Sequence, residues 1–147
     1  MFEAIVITIA TAATPLLIAA MGELVVERAG VLNLGGEGMM IMGAVTGFSV
    51  AYMTGSPWLG VLAAIIVGAL FSVLFGFLTL TLVTNQVATG LALTLLGLGL
   101  SGMIGEGFVG LPGVKLGTVD IPYLSDIPYV GRLLFDQDPI FYISIAL

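Results

Sequence analysis

Four of the chain's twelve charged residues, Glu23, Glu27, Arg28 and Glu37, fall in one glycine-rich stretch between two strongly apolar segments. With Asn33 they offer the chemistry of this region: carboxylates able to hold a proton or a cation, a guanidinium able to pair with them, and an amide that both donates and accepts. Glu23 and Glu27 are four residues apart, as are Asn33 and Glu37, so each pair shares a face wherever the backbone is helical. Gly30, Gly35, Gly36 and Gly38 oppose one continuous helix, because each costs about 0.8–1 kcal/mol relative to alanine in a helix interior. Residues 23–37 therefore read either as a broken or partly re-entrant element lining a wet cavity or as a short cytoplasmic connection between two spans. Arg28, the one cation beside three glutamates, is expected to pair with Glu23, Glu27 or Glu37 rather than face lipid. Asn85 and Gln86 supply two more amides in the only polar break between later apolar runs.

The elements that must position these residues are membrane helices. Of 147 residues, 59% are hydrophobic and only 8% charged, against about 25% charged in a soluble globule. The net charge of −6 resides mostly in two acidic stretches, so it describes loops rather than a whole-molecule field. Three Lys and Arg residues cannot track a phosphate backbone, which excludes nucleic-acid binding. With no Cys and no His, thiolate and imidazole metal sites, disulfides and His-based catalysis are excluded as well. Met1 and Glu3 flank no basic segment, so the first apolar run reads as retained rather than cleaved.

Residues 4–22 carry no charge over 19 positions, close to the ~20 that cross a bilayer, and form the first expected span. Pro15 lies inside it and predicts a kink near residues 11–15. Thr8, Thr11 and Thr14 recur at helical spacing, a pattern more often used for bonding back to the helix than for facing a substrate. Residues 38–53 form a shorter second span, with Gly43 and Gly47 placed to let a neighbouring helix approach closely. Tyr52 and Trp58 flank a Thr-Gly-Ser-Pro57 turn at the expected headgroup level. Residues 58–83 and 87–105 complete four spans, joined by a tight hairpin or a polar kink at Thr84-Asn-Gln86; Gly90 and Gly97 mark the fourth as a packing helix. Residues 106–139, with five of the nine acids, read as an extramembrane loop in which Tyr123 and Tyr129 form either a docking surface or lid, or an ordered cap. Asp138 as N-cap and Pro139 at the first helical position open a fifth apolar run of eight residues, too short to span. The expected fold is all-α: a single polytopic membrane helix bundle of four spans and a truncated fifth, the N-terminal piece of a larger subunit.

Three ordered motifs carry a family resemblance. Glu27-Arg28-Ala-Gly30-Val-Leu-Asn33-Leu-Gly35-Gly-Glu37-Gly38-Met-Met-Ile-Met-Gly43-Ala44, then Asn85-Gln86-Val-Ala-Thr-Gly90-Leu-Ala-Leu, then Ile121-Pro122-Tyr-Leu-Ser-Asp126-Ile-Pro128 resemble the permeases of ABC importers for nucleosides and simple sugars, within the group that includes ribose and branched-chain amino-acid permeases. The resemblance implies a multi-pass subunit in a prokaryotic plasma membrane. It also implies a second permease subunit, cytoplasmic ATPase subunits carrying ATP and magnesium, and an extracytoplasmic solute-binding protein as partners, with no cofactor on this chain. The cytoplasmic segment that couples to the ATPase lies after the fifth span in such permeases, beyond this sequence. Placing loop 106–139 outside the cell, as the resemblance implies, puts residues 23–37 on the cytoplasmic side and Met1 outside; a cytoplasmic N-terminus requires the segment to re-enter.

The expected function is therefore a permease subunit moving nucleosides or sugars by alternating access. Glu27, Arg28, Asn33, Glu37, Asn85 and Gln86 are the pathway or hinge candidates. No Gly-x-x-x-x-Gly-Lys-Ser/Thr loop occurs, so ATP hydrolysis belongs to another subunit. The alternative is a secondary transporter or channel in which Glu23, Glu27 or Glu37 binds a proton or cation. A membrane enzyme is disfavoured for want of His, Cys or a convergent carboxylate pair beyond this stretch.

Overall fold

The structure, a computed structural model, describes residues 2–114, 117 and 138–147. Helix α1 spans Phe2–Arg28 and continues through Pro15, with the Thr14 hydroxyl donating to the Ala10 carbonyl at 3.0 Å in the turn before the proline. Its crossing-length apolar portion is Thr8–Arg28, which ends six residues beyond the expected first span. Glu23, Val25, Val26 and Glu27 are tolerated in a helix, and the helix stops only where glycine allows a reversal. Gly30 takes φ 82, its N–H reaching the Glu27 carbonyl at 2.9 Å and the Val31 N–H reaching the Val26 carbonyl at 3.2 Å. This is the left-handed helix terminator that glycine forms without a Cβ penalty. Glu23 and Glu27 thus lie on the last turns of a helix, and the break itself is residues 29–35.

Helix α2 is Gly36–Thr54 and α3 is Pro57–Gly76, extended by a wide π turn over Phe77–Thr81; α4 is Gln86–Gly105, followed by a 3-10 turn at Glu106–Phe108. The chain divides into two compact units, one of residues 1–22 and 116–147 and the other of residues 23–115. In the second unit α2 lies between α3 and α4. Gly47 faces Gly60 and Gly43 faces Ala64, so α2 and α3 run antiparallel, whereas Gly35 meets Gly90 and Gly38 meets Gly97, so α2 and α4 run parallel. The expected hairpin of α3 and α4 therefore opens around α2.

Contact at these crossings is backbone to backbone. A Cβ placed on Gly97 would stand 2.6 Å from the Gly38 carbonyl oxygen, and one on Gly60 would stand 2.5 Å from that of Gly47. Lipid offers no hydrophobic expulsion between helices, so close van der Waals contact through small residues holds them together. Burial follows the same logic. Leu62, Ile65, Ile66, Leu70 and Val73 of α3 are exposed, while Ser49 and Thr79 are buried, with hydroxyls bonded to the carbonyls of Val45 at 2.7 Å and Phe75 at 2.8 Å.

Three helical stretches among the described residues are long and apolar enough to cross a membrane: Thr8–Arg28, Pro57–Thr81 and Gln86–Phe108. The expected second span, α2, is not one of them. Its glycines, Glu37, Thr46 and Ser49 lower its apolarity, and it buries Gly38, Met42, Gly43, Ser49 and Ala51, as befits a helix flanked by others. The chain is a helical membrane protein.

At the ends of α2 and α4 the rings of Phe48, Tyr52 and Phe108 form a trio with centroid separations of 6.1–6.4 Å, fixing the turn that follows α4. Most of the expected loop 106–139 lies outside the described residues, and with it Tyr123, Tyr129 and the Ile121 to Pro128 motif. The last helix, α5, is Pro139–Ala146, with Asp138 at the N-cap position but making no side-chain capping bond.

Candidate functional site

The two helix breaks meet at one end of the second unit. The first, residues 29–35, leaves backbone groups without helical partners, and side chains take them up. The Asn33 Oδ1 accepts the Gly35 N–H at 2.9 Å, the local turn that asparagine forms with the backbone two residues on. Gln86, the first residue of α4, accepts the Leu32 N–H at 2.8 Å through its Oε1. The Thr94 hydroxyl donates to the Leu34 carbonyl at 3.0 Å. The Glu23 carboxylate faces the Asn33 N–H and lies 3.6 Å from where a Cβ on Gly36 would stand, at the electropositive start of α2.

The second break, residues 82–85, is built differently. The π turn sends the Leu82 N–H to the Phe77 carbonyl and the Thr84 N–H to the Leu78 carbonyl, both at 3.2 Å. Between them Val83 takes φ 53, the one non-glycine residue with positive φ among those described. This is the helix-terminating geometry of Gly30, widened by a residue and occupied by a β-branched side chain, for which the left-handed region is a true outlier. The Thr84 hydroxyl reaches the Leu78 carbonyl at 2.8 Å and Thr89 Oγ1 at 2.9 Å. Asn85 caps α4, its Oδ1 accepting the Ala88 N–H at 3.0 Å.

Of the residues singled out by sequence, Asn33, Asn85, Gln86, Gly90 and Gly97 gather here, with Gly90 lying against the backbone of Leu34 and Gly35. Asn33 and Glu37 do not share a helical face, because the backbone is broken between them: Asn33 sits in the break while Glu37 lies in the first turn of α2. Glu27, Arg28 and Glu37 are exposed and make no hydrogen bond or ion pair among the described residues. The pairing expected of Arg28 is therefore not formed. As the last residue of α1 it sits at the electronegative helix end, which stabilises a cation without a carboxylate. Gly43 and Gly47 lie away from the breaks, on the α3 side of α2, and Gly43 has only ordinary contact there, 3.6 Å from the Ala64 carbonyl oxygen.

Sequence reasoning missed Val83 and Gly60, read Gly38 only as a helix breaker, and read Thr94 only as a small packing residue. No residue type announces a left-handed valine, but Gly38 and Gly60 carried a signal: each is the small residue that a facing glycine requires. Chemically, the amide oxygens of Asn33, Asn85 and Gln86 are committed to backbone N–H groups. The Asn33 Nδ2 has only the Met39 sulfur, at 3.8 Å, and the amide nitrogens of Asn85 and Gln86 bond to nothing among the described residues. Such an end can offer N–H donors to carbonyl or hydroxyl oxygens, with no nucleophile and base brought together.

Comparison with known proteins agrees with this membrane architecture. The chain is 44% identical over 139 residues to TsgC13 of Haloferax volcanii, whose name assigns it provisionally as a glucose ABC transporter permease protein. It is 35% identical over 145 residues to the guanosine ABC transporter permease protein NupQ of Bacillus subtilis, and 34% identical over 134 residues to the nucleoside ABC transporter permease protein NupC of Lactococcus lactis. These alignments take in 91%, 90% and 84% of the chain but only 42%, 44% and 42% of the relatives, so the chain spans less than half their length. No solved structure matches it. Residues 5–142 match the family described as the permease component of branched-chain amino acid transport systems, and the chain belongs to that family.

Proposed function

We propose that the chain is the N-terminal part of a transmembrane permease subunit that forms part of the translocation pathway of an ATP-driven importer for nucleosides or simple sugars. The family match over residues 5–142 carries this reading, and the names of the glucose, guanosine and nucleoside permeases among its relatives support the substrate class. In this account the subunit sits in a prokaryotic plasma membrane beside a second permease subunit. Cytoplasmic ATPase subunits bind ATP and magnesium, and an extracytoplasmic binding protein delivers the solute. Asn33, Glu37, Glu27, Arg28, Asn85 and Gln86 lie at or beside the two helix breaks, which serve as the hinge of the pathway. Helix breaks suit this task because discontinuous helices place free donors and acceptors where a solute passes.

The test is uptake of labelled guanosine and glucose into proteoliposomes holding the complete subunit and its partners. Uptake that requires ATP and stops with vanadate supports the reading. Uptake that persists under vanadate and follows an ion gradient would instead indicate a secondary transporter using the Glu23, Glu27 or Glu37 carboxylates.

A further inference from the structure

Two left-handed helix terminators, Gly30 (φ 82) and Val83 (φ 53), end the helices that run into the two breaks, and a single side chain ties the breaks together. Gly30 holds its conformation without steric cost, whereas Val83 holds the same kind of conformation against the clash of its branched Cβ. Strain of this kind persists only where surrounding contacts over-determine it. Those contacts are on both sides of Val83: the Thr84 N–H and hydroxyl on the Leu78 carbonyl, the Thr84 to Thr89 hydroxyl bond, and, three residues on, the Gln86 Oε1 on the Leu32 N–H. Single π turns such as Phe77–Thr81 are themselves frequent at functional sites.

We propose that Val83 and Gln86 form a sprung latch that makes the two breaks open and close as one. In the closed form, the one in this structure, Val83 is left-handed and Gln86 holds the Leu32 N–H. When Val83 relaxes to negative φ, the Thr84 bonds to Leu78 are lost, the start of α4 turns, and Gln86 leaves Leu32. Residues 29–35 then lose a bond that ties them to α4. The coupling is a property of this chain's backbone and goes beyond the transport reading, since it holds whatever solute passes.

Hydrogen–deuterium exchange of the complete, lipid-reconstituted subunit tests the coupling without any transport assay. Gln86→Ala removes the acceptor and should speed exchange in residues 30–35 about tenfold, the scale of one lost hydrogen bond, while Gln86→Glu keeps the acceptor and the wild-type rate. Val83→Asn suits the left-handed conformation better and should slow exchange about fivefold or more, in residues 82–86 and in residues 30–35 alike. In the double variant the slowing should remain at 82–86 and vanish at 30–35. If Val83→Asn slows exchange at 82–86 and leaves 30–35 at the wild-type rate with Gln86 present, the breaks are independent and the latch is refuted. Should Gln86→Ala fail to fold, the response of 30–35 to Val83→Asn alone decides the matter.

Discussion

Gln86 and Leu32 stand 54 residues apart in sequence, yet the Gln86 Oε1 accepts the Leu32 N–H at 2.8 Å. That bond joins the middle of the first helix break to the residue that follows the second. Non-helical backbone is tolerated in a membrane protein where protein groups or a wet cavity satisfy it. Here Asn33, Gln86, Thr94 and Glu23 attend to the first break, and Thr84 and Asn85 to the second. The polar residues of these breaks hold open a discontinuity that an unbroken helix would not need, and in the proposed pathway their remaining amide donors would be what meets a solute.

Packing predicts a ranking among glycines. Gly97→Ala and Gly60→Ala would drive a methyl into the facing backbone, 2.6 Å from the Gly38 carbonyl oxygen and 2.5 Å from that of Gly47. Each should destabilise the subunit by about 1–3 kcal/mol, the usual cost of overpacking. Gly43→Ala meets nothing nearer than 3.6 Å and should cost nothing, or gain up to about 1 kcal/mol from helix propensity. Thermal unfolding of the detergent-purified complete subunit gives the order; equal losses at all three positions would contradict the packing described.

Asn85 contributes a helix cap. Asn85→Ala removes the acceptor of the Ala88 N–H and should cost about 0.5–2 kcal/mol, while Asn85→Asp and Asn85→Ser, which keep an oxygen there, should recover most of it. Chemical denaturation of the three variants measures the difference.

Much of the fold was legible in the sequence because hydrocarbon selects strongly for apolar runs: α3, α4 and the short α5 fall close to where composition places them. The end of α1 was not, since Glu23, Glu27 and Arg28 look like loop residues by charge while being adequate helix formers, and only Gly30 marks the stop. The interior position of α2 was half legible, in its Gly43 and Gly47 spacing, though the tightest contacts fall at Gly38 and Gly60. At the site, Asn33, Asn85 and Gln86 stood out as rare amides in an apolar chain. Their convergence could not be read from sequence, because it depends on α2 and α4 running parallel.

Arg28 provides a sharper check on electrostatics. It is exposed at the end of α1 and forms no ion pair among the described residues, so Arg28→Ala should cost no more than about 1 kcal/mol, the helix-dipole share. A loss of several kcal/mol in the same unfolding assay would mean that a carboxylate depends on it after all.

Whether the polar breaks act as the proposed hinge of a permease is decided at Glu37. It lies in the first turn of α2 and touches no partner among the described residues, so Glu37→Gln changes charge with little effect on packing. The measurement is the initial rate of ATP-driven guanosine or glucose uptake by the complete transporter, divided by the amount of inserted subunit, for wild type, Glu37→Gln and Asn33→Leu. Glu37→Gln should insert normally, and the rate per subunit should fall about tenfold or more for both variants, equivalent to about 1.4 kcal/mol in the barrier. A rate that falls only in step with the amount of folded protein would contradict the hinge, leaving Asn33 as a turn former and Glu37 as a carboxylate at the start of α2.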